Sequence, residues 1–131
     1  MEELIMYILV NKDLTMSSGK VSAQVAHSIV NYMEELFTSR ASDYLVYRTW
    51  KMGGQKKIVL QASQSLLEEL EKNDKYGRLA IRDNGLTEIP PNSLTAICLG
   101  INTRENFYEE LPKLKRLRLL WERGIKEWKK Y

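Results

Sequence analysis

The sequence predicts an α/β sandwich built on a four-stranded sheet. Short apolar runs alternate with segments of helical periodicity, the pattern of strands packed under helices. The first run, residues 4–10, is apolar at every position, which suits a strand buried on both faces. The last two runs meet through Asp83-Asn84-Gly85 with no helix between them. Asn-Gly is a strong turn signal because both residues tolerate positive φ.

The elements follow in order. Residues 11–19 read as a loop closed by Ser17-Ser18-Gly19. A helix is expected over about residues 20–37. Val21, Val25, Ile29, Met33 and Leu36 recur at its period, and Ala23, Ala26 and Val30 widen the apolar side toward full coverage. Ser42 or Asp43 is placed to cap a second helix through Trp50, which Met52-Gly53-Gly54 breaks. Residues 55–60 read as the second strand. Ser63 or Ser65 then opens a helix whose apolar face is Leu66, Leu67 and Leu70. The third strand is expected at residues 79–81 and the fourth at residues 94–99, with Gly100 closing it. Asn102 or Thr103 starts a short helix. Pro112 suits the first turn of a last one, along which Leu114, Leu117, Trp121, Ile125 and Trp128 share a face.

A length of 131 residues fits one domain. The single cysteine, Cys98, lies in an apolar run and reads as a buried thiol. Its solitude excludes an internal disulfide and fits a reducing compartment. No apolar run reaches the ~18 residues that span a bilayer. The expected location is the cytoplasm. The net charge of +3 hides an asymmetry: residues 112–131 carry +6 and residues 1–111 carry −3. A basic segment of this kind fits either a polyanionic partner or a solvated helix face. Residues 1–120 are expected to form the domain, and residues 121–131 a basic helical extension of it.

Several chemistries lack their residues. There is no glycine-rich dinucleotide motif, no phosphate-binding loop with lysine, and no Gly-x-Ser-x-Gly elbow. One histidine, His27, and one cysteine on different elements make no metal set. A lone helical histidine reads more simply as a hydrogen-bonded structural residue. What remains is the loop of residues 81–93, rigid through Pro90-Pro91, with Asp83 and the hydroxyls of Thr87, Ser93 and Thr95 on or just beyond it. Gly19-Lys20 sets an ammonium group at a helix start, where negative charge is favoured. On residue type alone, Asp83 caps its turn, and Lys20 is one of many lysines that begin helices.

Three segments together carry a family resemblance. Residues 6–10 followed by Asp13-Leu14-x-Met16-x-x-Gly19-Lys20-Val21-x-Ala23-Gln24-x-Ala26-His27 resemble the first strand and helix of type-2 peptidyl-tRNA hydrolases. Trp50 followed by Gly54-Gln55-x-Lys57-Ile58-Val59-Leu60 resembles their second strand. Ile81-Arg82-Asp83-x-Gly85-x-Thr87-x-Ile89-x-Pro91-x-Ser93-x-Thr95 is similar to their Asp-Ala-Gly-Arg-Thr-Gln-Ile loop and the strand after it. The resemblance implies a three-layer sandwich with a four-stranded mixed sheet, usually a homodimer. It implies hydrolysis of the ester joining a peptide to the terminal ribose of tRNA, with no cofactor and no metal. The family's lysine falls on Lys20, its aspartate on Asp83 and its threonines on Thr87 and Thr95. Gln24, His27 and Lys57 stand in the matched motifs as expected substrate contacts.

The chain departs from the pattern where Met16-Ser17-Ser18-Gly19-Lys20 replaces Met-Gly-Lys-Gly-Lys, and where Val25, Leu86 and Asn92 replace cysteine, arginine and glycine. Ser18 and Leu86 remove two cations from beside the site. The basic C-terminal segment, with Lys115, Arg118, Lys126 and Lys129 facing solvent, is expected to offset that loss on the tRNA backbone. In such a reaction Asp83 accepts a proton or orients water. Lys20 supplies the cation for the oxyanion or the departing ribose, and Thr87 and Thr95 position water or the carbonyl. The rival expectation is a non-catalytic RNA-binding module on the same fold. A weaker one is an adaptor whose C-terminal Leu/Trp face binds a partner helix.

Overall fold

The structure, a computed structural model, describes residues 2–39, 43–85 and 88–120. In chain order the elements are β1 (Leu4–Asn11), α1 (Ser18–Ser39), α2 (Tyr44–Met52), β2 (Lys57–Ala62), α3 (Gln64–Glu71), β3 (Ala80–Asp83), β4 (Ser93–Thr103) and α4 (Arg104–Glu110). The strands form one mixed sheet in the order β2-β1-β4-β3. β1 is parallel to β2 and antiparallel to β4, and β3 is antiparallel to β4. The α/β sandwich expected from the sequence is therefore present.

β1 is the axis of the fold. Every residue from Ile5 to Asn11 is buried, which requires cover on both sheet faces. Burying each large side chain contributes about 1.5–3 kcal/mol, so this strand anchors the domain. Tyr7 meets Phe107 of α4 edge-on, with ring centroids 4.9 Å apart. Cys98 is buried in β4, and burial pushes its thiol pKa up to about 12. That group is packing, as its apolar run predicts, and no thiolate nucleophile.

β4 runs through Gly100 to Thr103, further than the sequence predicts. Gly100 has φ +89 beside a register shift at Tyr7/Ile8, so it bends the strand that the sequence predicts it to close. A Cβ there would lie 2.8 Å from the Tyr32 ring, so the close approach of α1 also demands glycine.

α1 differs from expectation in its buried side. Val21, Gln24, Ser28, Tyr32 and Leu36 are buried, while Ala23, Ala26, His27 and Val30 are exposed. The expected stripe does face the core, with Val25, Ile29 and Met33 partly buried against it, but Ala23, Ala26 and Val30 do not widen it. A polar seam of Gln24 and Ser28 faces the sheet, because Gln24 has polar partners there. α3 is capped by Ser63, whose hydroxyl accepts the N–H of Leu66 at 3.1 Å.

The expected C-terminal helix is not formed over its first residues. Pro112–Arg116 is a 3-10 turn, and Leu117 leaves it extended. Leu119 then bridges antiparallel to Leu60. Gln61 N–H donates to the Arg118 carbonyl at 2.9 Å, and Leu120 N–H to the Val59 carbonyl at 3.0 Å. β2 would otherwise be a bare sheet edge, and satisfying its backbone groups outweighs the helical spacing of the leucines. Residues 121–131, with Trp121, Ile125, Trp128, Lys126 and Lys129, lie outside the described residues.

Candidate active site

The site lies where β1 and β3 end, β4 begins and α1 starts. Asp83 is the last residue of β3, and its position is set by the turn it opens. Gly85 has φ +69, and a Cβ on it would fall 2.4 Å from the Pro91 nitrogen, so only glycine closes this loop. Asn92 N–H donates back to the Asp83 carbonyl at 2.7 Å. Arg82 braces the base: its guanidinium forks onto Glu71 at 2.7 and 2.8 Å and also donates to the Asn92 carbonyl at 2.7 Å.

Three donors converge on the Asp83 carboxylate. Lys20 Nζ lies 3.1 Å from Oδ2, Gly85 N–H donates to Oδ2 at 2.8 Å, and Gln24 Nε2 donates to Oδ1 at 3.1 Å. The Gly85 N–H, then the Lys20 ammonium and the Gln24 amide, hold this carboxyl below the usual aspartate range. Asp83 thus caps its turn and pairs with Lys20 at once. The pair is neither sealed nor free, with side chains 13% and 14% exposed.

Gln24 and Thr95 stand behind the pair. Gln24 is 1% exposed and Thr95 0%. The Thr95 hydroxyl donates to Gln24 Oε1, with the Ile81 carbonyl 3.3 Å away. Both ends of the Gln24 amide are therefore occupied. Both side chains thus point inward, Gln24 onto Asp83 and Thr95 onto Gln24. Thr87 lies outside the described residues, as does Leu86.

The remaining expected contacts are scattered. His27 is exposed on α1, two turns beyond Lys20. Lys57 is not brought to the site: it pairs with Met6 at the opposite end of the sheet from Asp83. There its ammonium sits 5.1 Å from the centre of the Trp50 ring and donates to the Gln55 carbonyl. The Trp50 indole N–H donates to the Lys56 carbonyl at 2.8 Å, which fixes the ring beside Lys57. Lys115 lies over the Tyr108 ring at 5.6 Å, away from the pair. Arg118 lies in the segment on the β2 edge.

Two site residues went unseen in the sequence. Ser17 caps α1, its hydroxyl accepting the Lys20 N–H at 3.2 Å. Glu88 binds that same serine, accepting its hydroxyl at 2.6 Å and its backbone N–H at 2.8 Å. Nothing local signals this contact, since the partners are 71 residues apart. The sequence places Asn11 only in a loop. Its side chain is buried, donating to the Leu94 carbonyl at 2.8 Å and accepting the Asp13 N–H at 2.9 Å, so it joins β1 to the start of β4.

Fold and site together define a hydrolase-type α/β domain. A fixed carboxylate can orient water against a carbonyl, and the ammonium beside it can stabilise the oxygen that becomes negative.

The family model described as Peptidyl-tRNA hydrolase PTH2 matches residues 4–117, and the chain belongs to that family. Relatives named peptidyl-tRNA hydrolase include that of Staphylothermus marinus, 38% identical over 114 residues, covering 84% of this chain and 92% of the relative. That of Methanopyrus kandleri is 40% identical over 111 residues, covering 82% and 89%. That of Haloquadratum walsbyi is 38% identical over 104 residues, covering 76% and 87%. These names do not favour the non-catalytic RNA-binding rival.

Proposed function

We propose that Lys20 and Asp83 are the working pair with which this chain hydrolyses the ester bond of peptidyl-tRNA, releasing peptide and free tRNA. The observation that carries the assignment is the 3.1 Å Lys20–Asp83 contact, partly open to solvent, on a carboxylate also fixed by Gly85 and Gln24. Asp83 stays ionised at neutral pH, so its task is to hold Lys20 and aim a water at the ester carbonyl. Lys20 has three N–H donors and directs one at Asp83. Among the described residues the others have no hydrogen-bond partner and can meet the oxyanion, a contact typically worth about 3–4 kcal/mol of barrier. As the tetrahedral intermediate collapses, the bond to the ribose oxygen breaks, and a proton derived from the water ends on that oxygen. Thr87, on the same loop, is the candidate to position the water.

Lys20 supplies the positive charge of this scheme from the chain itself, so the reaction is metal-independent. His27, exposed on the same helix, contacts the tRNA end. Lys115 and Arg118 meet its backbone further from the ester. The working unit is a homodimer, as the resemblance implies. Val30, Phe37, Leu45 and Met52, on α1 and α2, are 65%, 52%, 75% and 77% exposed and offer such a contact its apolar area. The working compartment is the cytoplasm. Among the described residues no helix is long and apolar enough to cross a membrane. The test is release of an N-blocked amino acid from tRNA in the presence of chelator, with unblocked aminoacyl-tRNA as control.

A further inference from the structure

We infer that Glu88 and Ser17 are positioning residues that hold Lys20 against the Asp83 loop, as a capping box divided between two distant segments. In the ordinary box, a serine at the helix N-cap accepts the N–H of the third helical residue, and a glutamate at that third position reaches back to the serine N–H. Here the serine is Ser17 and the third residue is Lys20, whose N–H the Ser17 hydroxyl accepts at 3.2 Å. A lysine cannot return the second hydrogen bond. Glu88 returns it from the loop instead, taking the Ser17 N–H at 2.8 Å and the Ser17 hydroxyl at 2.6 Å.

The arrangement frees the Lys20 side chain for Asp83 while keeping the helix end satisfied. It also joins the first turn of α1 to the Asp83 loop by two ties, Lys20–Asp83 and Ser17–Glu88. Next to Glu88 the loop is pinned by Ile89, which is buried. Ser17 holds the Glu88 carboxyl below the usual glutamate range, through its hydroxyl first and its N–H second, so the clasp is charged at neutral pH. Glu88 hydrogen-bonds Ser17 and its carboxylate also feels the Lys20 ammonium through space, so it positions Lys20 chiefly through Ser17.

This assignment rests on the hydrolase reading. The experiment measures kcat and KM on N-blocked aminoacyl-tRNA, per folded molecule, for wild type, Ser17→Ala, Ser17→Thr, Glu88→Ala and Ser17→Ala/Glu88→Ala. Displacing a catalytic group by about 1 Å can cost up to about 100-fold, so a loss of about tenfold in kcat is expected for either alanine variant. The double variant should be no worse than the poorer single one, because both break one clasp. Ser17→Thr should retain wild-type kcat. KM should change less than kcat, because neither Ser17 nor Glu88 supplies a cation to the tRNA. Unchanged kcat in Glu88→Ala with an active wild type overturns the assignment alone, and so do fully additive losses. A wild type without turnover overturns the hydrolase reading and the assignment together.

Discussion

Gln24 Nε2 stands 3.1 Å from Asp83 Oδ1, and the oxygen of the same amide accepts the Thr95 hydroxyl. A carboxylate only accepts, so this fixes which way the Gln24 amide points. The buried polar seam of α1 is therefore a strut that aims one oxygen of Asp83.

Replacing Thr95 by Val should remove that strut's foot. Gln24 Oε1 would be left buried without a donor, at a cost of about 1–3 kcal/mol. Turnover should fall by about tenfold as Asp83 loses its fixed orientation. Thr95→Ser keeps the hydroxyl and should keep both properties. Thermal unfolding and turnover of the two variants, measured side by side, check this. Equal activity of Thr95→Val and wild type would make the seam mere packing.

The pH dependence of stability should carry the mark of Asp83. Its folded pKa lies below the usual value because Gly85, Lys20 and Gln24 favour the anion. Its contribution is thus fully present above the unfolded value, about 4, and disappears as pH falls through the lower folded value. The stability difference between wild type and Asp83→Asn should be flat from about pH 7 to pH 5 and shrink below about pH 4. Denaturant titrations across that range read it directly. A difference that grows on acidification would mean the carboxyl is not held as an anion.

Charge neutralisation at Lys115 and Arg118 should weaken tRNA binding and flatten its salt dependence, by nearly one unit of log–log slope for each phosphate no longer neutralised. Turnover at saturating tRNA should change little, because neither residue touches the Lys20–Asp83 pair. An unchanged slope would confine both residues to packing.

Leu45→Glu with Met52→Glu should convert a homodimer to a monomer in sedimentation, since buried carboxylates without partners are costly. A wild type that sediments as a monomer at all concentrations would remove the dimer.

Much of the fold was legible because it depends on local signals. The unbroken apolar run at Leu4–Val10 marked a strand with two covered faces, and Asp83-Asn84-Gly85 marked the turn between the last two strands. The pairing of Lys20 with Asp83 followed from the family motifs. What the sequence hides has a common physical source in partners distant along the chain. The two partners of Gln24, 59 and 71 residues away, cannot be read from helical spacing. Leu117 and Leu119 have helical neighbours in sequence, yet the open edge of β2 captures them. Gly100 breaks a strand by propensity but here bends one beneath Tyr32.

The most direct measurement is single-turnover release of N-blocked amino acid from tRNA by wild type, Lys20→Ala and Asp83→Asn, each at saturating enzyme. Wild type should react with chelator present, and both variants should fall by about 100-fold or more, in the range of acid–base and oxyanion groups. Their unfolding free energies should shift by about 1 kcal/mol or less, as for a partly exposed ion pair. Variants that unfold early yet match wild-type turnover per folded molecule would contradict the account and reduce the pair to a tie between α1 and the Asp83 loop.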